Sequence, residues 1–235
     1  MIPIKTESAW RGTSDCRSCA IREMVLFADL NEQDFNLIHA PIDDLVFQVG
    51  QRLYDESDKA VGIFTIRQGM VKLVRVTADG RERVIRVLLP GDVAGLEALA
   101  TMRYDSQAVA LCEVTVCRIP LKVIHELGGN SPRLHKRLME KWQSALKQAD
   151  DWLADLNFGT ARQRVTNFVR KMHAVSGDDT ATLFARDDMG AMMDLKLETV
   201  SREVSALVRK GVMQPLDKHA RHYKILLPNV LETDC

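Results

Sequence analysis

Leu197-Glu198-Thr199-Val200-Ser201-Arg202 places a carboxylate, a hydroxyl and a guanidinium at the start of an amphipathic stretch near the C-terminus. On a helix Glu198, Ser201 and Arg202 stand at i, i+3 and i+4 and share one face, while Val200, Val204, Leu207 and Val208 cover another. One face can dock on a core while the other meets a groove, and side chains of these types can read base edges. Upstream, Arg186 to Met193 reads as a short first helix and Asp194-Leu195-Lys196 as a tight turn, so the stretch becomes the second, recognition helix of a helix-turn-helix. Downstream, Gly211 has the character of a helix stop, and the apolar runs Val212 to Leu216 and Tyr223 to Leu227 flank a basic turn, Asp217 to His222. The whole predicts a winged helix-turn-helix, with Lys196, Glu198, Thr199, Ser201 and Arg202 as the candidate DNA contacts. Standing alone, Glu-x-x-Ser-Arg would be an ordinary solvated helix face. The ordered helix, turn, helix, glycine and hairpin make base recognition the stronger reading.

The chain has 235 residues, enough for two cores, and is 46% hydrophobic and 27% charged, as globular proteins are. No apolar stretch approaches the length of a membrane span, and the N-terminus has no signal-peptide core, so a cytoplasmic protein with no membrane partner is expected. The formal net charge is zero, but residues 157–235 hold 12 Lys or Arg against 10 Asp or Glu, a net +2 that leaves −2 for the rest. A local basic face can still supply phosphate contacts. Neither a Gly-rich phosphate loop, a nucleophile elbow nor a His-Glu-x-x-His motif is present, which argues against an enzyme.

From about Leu45 to Ile119 short strand-like runs follow one another: Leu45 to Val49, Gly62 to Ile66, Met70 to Val76, Arg83 to Leu89 and Ala108 to Ile119, with a hairpin at Asp79-Gly80. An antiparallel jelly-roll type β-roll fits best. The period then changes. Leu134, Leu138, Trp142, Ala145, Leu146, Ala149, Leu153 and Leu156 recur at three- and four-residue steps, the pattern of a long helix with a heptad-like seam. Pairing with a second copy through Leu134, Leu138, Trp142, Leu146, Ala149 and Leu153 is the economical inference, and packing on the roll alone is the alternative. The expected organisation is α+β: an N-terminal segment 1–29 with a Cys pair, a β-roll sensor 30–127, a dimerisation helix 128–156 and a winged helix-turn-helix 157–235.

In that order, and through Ile66 to Lys72, Leu89 to Gly95, Val116 to Pro120 and Leu197 to Val204, the chain resembles the Crp/Fnr superfamily of bacterial transcription regulators. The resemblance implies a homodimer in which Glu198, Ser201 and Arg202 read half-sites similar to TTGAT in an inverted repeat, with RNA polymerase as a partner. It departs at Asp194, where the family's turn usually has glycine, although Asp tolerates the left-handed conformation better than most residues. The cyclic-AMP branch follows a Gly-Glu pair with an Arg-Ser or Arg-Thr that holds the phosphate. Here Gly95-Leu96-Glu97 is followed by Asp105-Ser106-Gln107, with Arg103 out of register, so cyclic AMP is disfavoured. A cyclic-nucleotide module that binds no DNA is disfavoured on the same ground, and by the helix-turn-helix.

The oxygen- and redox-responsive Fnr-like branch fits more closely. Its sensors hold a [4Fe-4S] cluster on three N-terminal cysteines and one in the roll, and Cys16, Cys19 and Cys117 match three of those positions. The remaining one, near Val25 to Phe27, is absent. Cys112 and Cys117, taken as five residues apart on one strand, would lie about 16 Å apart on opposite faces, so Cys112 is an incomplete replacement. A cluster would then need another ligand, such as Asp15, Glu23, Asp29 or His39. A thiol or zinc switch at Cys16 and Cys19, or cysteines that bind nothing in a regulator sensing through haem or a small ligand, are the other readings.

Overall fold

A computed structural model describes residues 42–128, 131–218 and 221–233. The N-terminal part contains β1 (Asp43–Phe47), β2 (Arg52–Tyr54), β3 (Gly62–Gln68), β4 (Val71–Val76), β5 (Glu82–Leu88) and β6 (Val93–Ala94). These are followed by α1 (Ala98–Thr101), β7 (Gln107–Ala110), β8 (Val114–Pro120), α2 (Leu121–Gly128) and the long α3 (Pro132–Asn157). The C-terminal part has α4 (Ala161–Ser176), β9 (Thr180–Thr182), α5 (Arg186–Met193), α6 (Leu197–Arg209), β10 (Met213–Pro215), β11 (His222–Ile225) and α7 (Pro228–Thr233). The α+β architecture expected from the sequence is the one observed. Two compact units are distinguished, one reaching to Lys147 apart from Arg81–Val84, the other Arg81–Val84 with Gln148 onward.

In the first unit two four-stranded antiparallel sheets, ordered β1-β8-β3-β6 and β2-β7-β4-β5, enclose one core. Their inner faces are the β-branched and aliphatic residues of the alternating runs: Ile63, Ile66, Val71, Val114, Val116 and Ile119 are all essentially inaccessible to solvent. The turn after β3 shows why the motif Arg67-Gln68-Gly69 needs its glycine. Gly69 has φ +86°, and a Cβ there would lie 2.3 Å from the Glu113 carbonyl oxygen. Arg118 of β8 with Asp43 at 2.5 Å ties β1 to its neighbour, and Arg67 of β3 with Asp44 ties it to the strand beyond, both as half-buried ion pairs.

Three details differ from the sequence reading. The long run Ala108 to Ile119 is two strands, because Leu111 to Glu113 turn between β7 and β8. Cys112 sits in that turn and Cys117 on β8, so they do not share a strand and the argument from strand alternation fails. Finally, Leu134 (0% exposed) and Leu138 (8%) belong to the roll's core cluster, which also includes Leu121, Val123 and Ile124 of α2. These two leucines are therefore not part of any exposed seam on α3, and their helical spacing serves the roll instead.

The second unit begins the final part of α3 and continues into a small helical core. Thr160 caps α4 reciprocally with Gln163, the hydroxyl accepting from the Gln163 amide while the Gln163 side chain accepts from the Thr160 amide. Phe168 of α4 is buried between Trp152 and Phe184, edge-on to both at centroid distances of 6.2 and 5.0 Å. Strand β11 pairs with β10 on one side and β9 on the other, giving a three-stranded antiparallel wing. β9 had no distinct signal in the sequence, being a three-residue strand of threonine and alanine that gains its conformation from its partner.

Candidate nucleic-acid interface and sensor residues

The helix-turn-helix is built by a close crossing at Gly190. A Cβ at this position would stand 2.5 Å from the Leu195 carbonyl oxygen, so only glycine lets α5 approach the turn this tightly. Asp194 caps α5 in the left-handed region at φ 53°, ψ 47°, its amide donating to the Gly190 carbonyl. Aspartate thus takes the conformation expected at the turn despite the missing glycine. Arg164 of α4 donates to the Met193 carbonyl at 2.8 Å, a cation placed at the C-terminal end of α5. Arg186 anchors the other end, donating to the Tyr223 hydroxyl of β11 at 2.7 Å.

These contacts fix α6 with Val200, Val204 and Leu207 buried against α4 and α5. The opposite face carries Glu198 and Arg202, both exposed, with Ser201 and Thr199 half-buried beside them and Lys196 exposed at the helix start. All five candidate contacts therefore lie on or beside one accessible helical surface. Arg202 is held only by a long 3.4 Å interaction from Nε to the neighbouring Glu203 carboxylate, so its guanidinium can turn to another acceptor. Lys196 at the N-cap makes no side-chain cap; in the first turn the Thr199 amide donates to the Lys196 carbonyl at 3.0 Å, which leaves the Leu197 and Glu198 amides as the donors at the start of α6. On the wing, Asp217 accepts from the His222 amide at 2.7 Å, and His222 and Lys224 are exposed.

On α3 the residues left accessible are Met139 (44%), Trp142 (37%), Leu146 (65%) and Leu153 (55%), with half-buried Ala149 between the last two. Positions 139, 142, 146, 149 and 153 step by three and four without interruption, a strict heptad seam. Met139 was missed in the sequence because Leu134 and Leu138 offered a competing register one residue earlier.

Residues 45–130 match the cyclic nucleotide-binding domain model. The anaerobic regulatory protein of Haemophilus influenzae is 26% identical over 211 residues, 87% of this chain and 82% of that protein. The fumarate nitrate reduction regulatory protein of Klebsiella oxytoca is also 26% identical, covering 87% of this chain and 84% of its own. Among solved structures, FixK2 from Bradyrhizobium japonicum superposes with a TM-score of 0.74 at 25% identity, over 82% of this chain and 96% of that one.

The chain is similar over most of its length to Fnr-type regulators.

The roll holds two of the five cysteines. Cys112 and Cys117 are both half-buried against the core, and neither forms a disulfide. Cys16 and Cys19 lie outside the described residues, as does Cys235. Among the described residues no three His, Cys, Asp or Glu side chains converge as a metal site. Cys117 therefore cannot complete a cluster with described residues alone.

A polar group inside the roll had no motif in the sequence to announce it. Tyr54 of β2 and Tyr104 stack with ring centroids 3.8 Å apart. Beside them lie Glu97, in the loop after β6, and Arg86 of β5, which interact electrostatically with Tyr54 and each other. Burial pushes the Glu97 carboxyl above its ordinary range against weaker opposing pulls from backbone amides and Arg86. As pH rises through the ordinary carboxylate value, the unfolded chain loses this proton first while the native state keeps it. Stability from Glu97 is then present at low pH and falls as pH rises through its native value. We expect Glu97→Gln to raise neutral-pH stability and flatten that slope in urea unfolding followed from about pH 5 to 8. A variant curve parallel to the parent's would show that Glu97 is not the titrating group.

Proposed function

We propose that this chain is a homodimeric transcription regulator that binds a TTGAT-like inverted repeat and responds to a redox or gas signal. The observation that carries the reading is the accessible Glu198, Ser201 and Arg202 face of α6 within a winged helix-turn-helix. In a major groove the Arg202 guanidinium suits the O6 and N7 acceptors of guanine, and the Glu198 carboxylate accepts from the amino group of cytosine or adenine. Lys196, Thr199 and the uncapped start of α6 suit backbone phosphates, which set position without reading sequence. The α3 seam supplies a surface on which a second copy can place its own α6 one helical turn of DNA away. RNA polymerase in the cytoplasm is the partner on which such a regulator acts.

The names of the anaerobic and fumarate nitrate reduction regulators support the redox part. Cys117 on β8, with Cys16 and Cys19, would contribute thiolates to a [4Fe-4S] cluster, which when bound supplies oxygen-sensitive redox chemistry. The described residues hold one of these three, so the fit is incomplete there. Haem or a small ligand sensed in the roll, with the cysteines uninvolved, is the second reading, favoured by the buried polar group around Arg86.

Full-length protein prepared without oxygen, offered a random pool of DNA duplexes, should enrich an inverted repeat, and binding should change on exposure to air. Cys16→Ser, Cys19→Ser and Cys117→Ser should each remove the air dependence, while Cys112→Ser and Cys235→Ser should keep it. A pool with no common motif overturns the regulator. Equal binding with and without air in the parent overturns only the redox part.

A further inference from the structure

Strand β8 runs between β1 and β3, and in register Cys117 stands opposite Asp44 on one side and Thr65 on the other. Residues paired directly across an antiparallel sheet share a face, with Cβ atoms about 4.5–5.5 Å apart, so Asp44, Cys117 and Thr65 form one row. Arg67, two residues along β3 from Thr65, donates to the Asp44 carboxylate and offsets the negative charge beside the sulfur. Cys117 is half-buried and in no disulfide. Thr65 is only 1% exposed, yet its hydroxyl has no hydrogen-bond partner. Burying a hydroxyl in that state works against folding, and a valine of the same shape would avoid the loss. The hydroxyl is thus a donor set beside a sulfur to which it does not bond. What it lacks is an oxygen placed on that sulfur.

Cys112 makes the contrast. It is half-buried too, but it sits in the bend between β7 and β8, outside any strand and so without a residue aligned beside it as Thr65 is aligned with Cys117.

We propose that Cys117 and Thr65 form a peroxide-reactive thiol site on the roll, whose substrate is a small hydroperoxide. The Cys117 sulfur attacks one peroxide oxygen, an S–O bond forms, the O–O bond breaks, and two electrons pass from sulfur to the peroxide. The thiol's proton ends on the departing oxygen, so thiol and hydroperoxide give a sulfenic acid and an alcohol, or water where the peroxide is hydrogen peroxide. Thr65 donates to the oxygen that stays on the sulfur, which positions the peroxide for attack and holds the product. The proposal rests on the redox part of the regulator reading and names its signal. Unlike a cluster, it needs no residue outside the described ones.

The test exposes freshly reduced full-length protein to hydrogen peroxide in the presence of dimedone, which traps sulfenic acids, and follows the adduct at each cysteine by peptide mass mapping. Cys117 should be labelled at least about tenfold faster than Cys112. Thr65→Val should slow labelling of Cys117 by about tenfold, the effect of losing one donor at the reacting oxygen. The same variant should melt at or above the parent, because it removes an unsatisfied buried hydroxyl. Thr65→Ser keeps the hydroxyl and should stay within about twofold of the parent's rate. Three outcomes overturn the site: Cys117 reacts no faster than Cys112, Thr65→Val reacts at the parent's rate, or Thr65→Ser is slowed as much as Thr65→Val, which would make the effect one of packing. Labelling is read from mass and not from DNA binding, so a failure here leaves DNA selection standing, and a failed DNA selection leaves the labelling rates as they are.

Discussion

Arg202→Ala is expected to weaken binding to a TTGAT-type palindrome by about 2–6 kcal/mol, since one bidentate guanine contact is worth about 1–3 kcal/mol and a dimer makes it in both half-sites. Even the lower bound is about thirtyfold in affinity. The loss should be confined to the cognate sequence. Preference at the guanine should relax, and binding to unrelated DNA should change little, because phosphate contacts supply that affinity. The fold should be untouched, as the Arg202 side chain is 67% exposed and its one partner, Glu203, is its chain neighbour. Lys196→Ala makes the contrasting case. As a phosphate contact it should lower affinity evenly across sequences and reduce the salt slope by about one. Competition binding with base-substituted palindromes decides between the two patterns, and an unchanged preference at every position would sink the assignment of Arg202.

How much of this was legible in the sequence depended on whether the signal was local. The segment from Arg186 to Arg209 was readable because its helices, turn and buried stripe are all set by residues within one or two turns of each other. Asp194 is an instructive case, since its short polar side chain tolerates the left-handed cap that the turn requires. Leu134 and Leu138 were misassigned because apolar spacing reports that a helix face is buried, not by what. What buries them is the core cluster of the roll, which only the tertiary structure supplies. The break between β7 and β8 leaves no sequence signal because Leu111 and Cys112 are apolar and continue the hydrophobic run through the bend where the chain passes from one sheet to the other. Arg86, Tyr54 and Glu97 come from three separated stretches and share no spacing, so their convergence could not be anticipated.

The corrected seam leads to the second large effect. Leu146→Asp is expected to abolish dimerisation at micromolar concentration while leaving each subunit folded. Leu146 is 65% exposed on α3, so in a lone subunit an aspartate there meets water and costs the fold little. In a two-fold seam the same change buries a carboxylate from each subunit without a counter-charge. An uncompensated buried charge costs about 3–5 kcal/mol, enough to raise the dissociation constant at least a hundredfold. Operator affinity should fall with it, because two half-sites are then bound by independent subunits. Leu138→Asp provides the control that separates interface from core. Leu138 is buried in the roll, so its replacement should lower the melting temperature sharply, whereas Leu146→Asp should leave the subunit's own unfolding transition in place. Sedimentation equilibrium and thermal unfolding on both variants give the answer. A Leu146→Asp protein that remains dimeric at undiminished affinity would place the subunit contact somewhere other than Met139, Trp142, Leu146, Ala149 and Leu153.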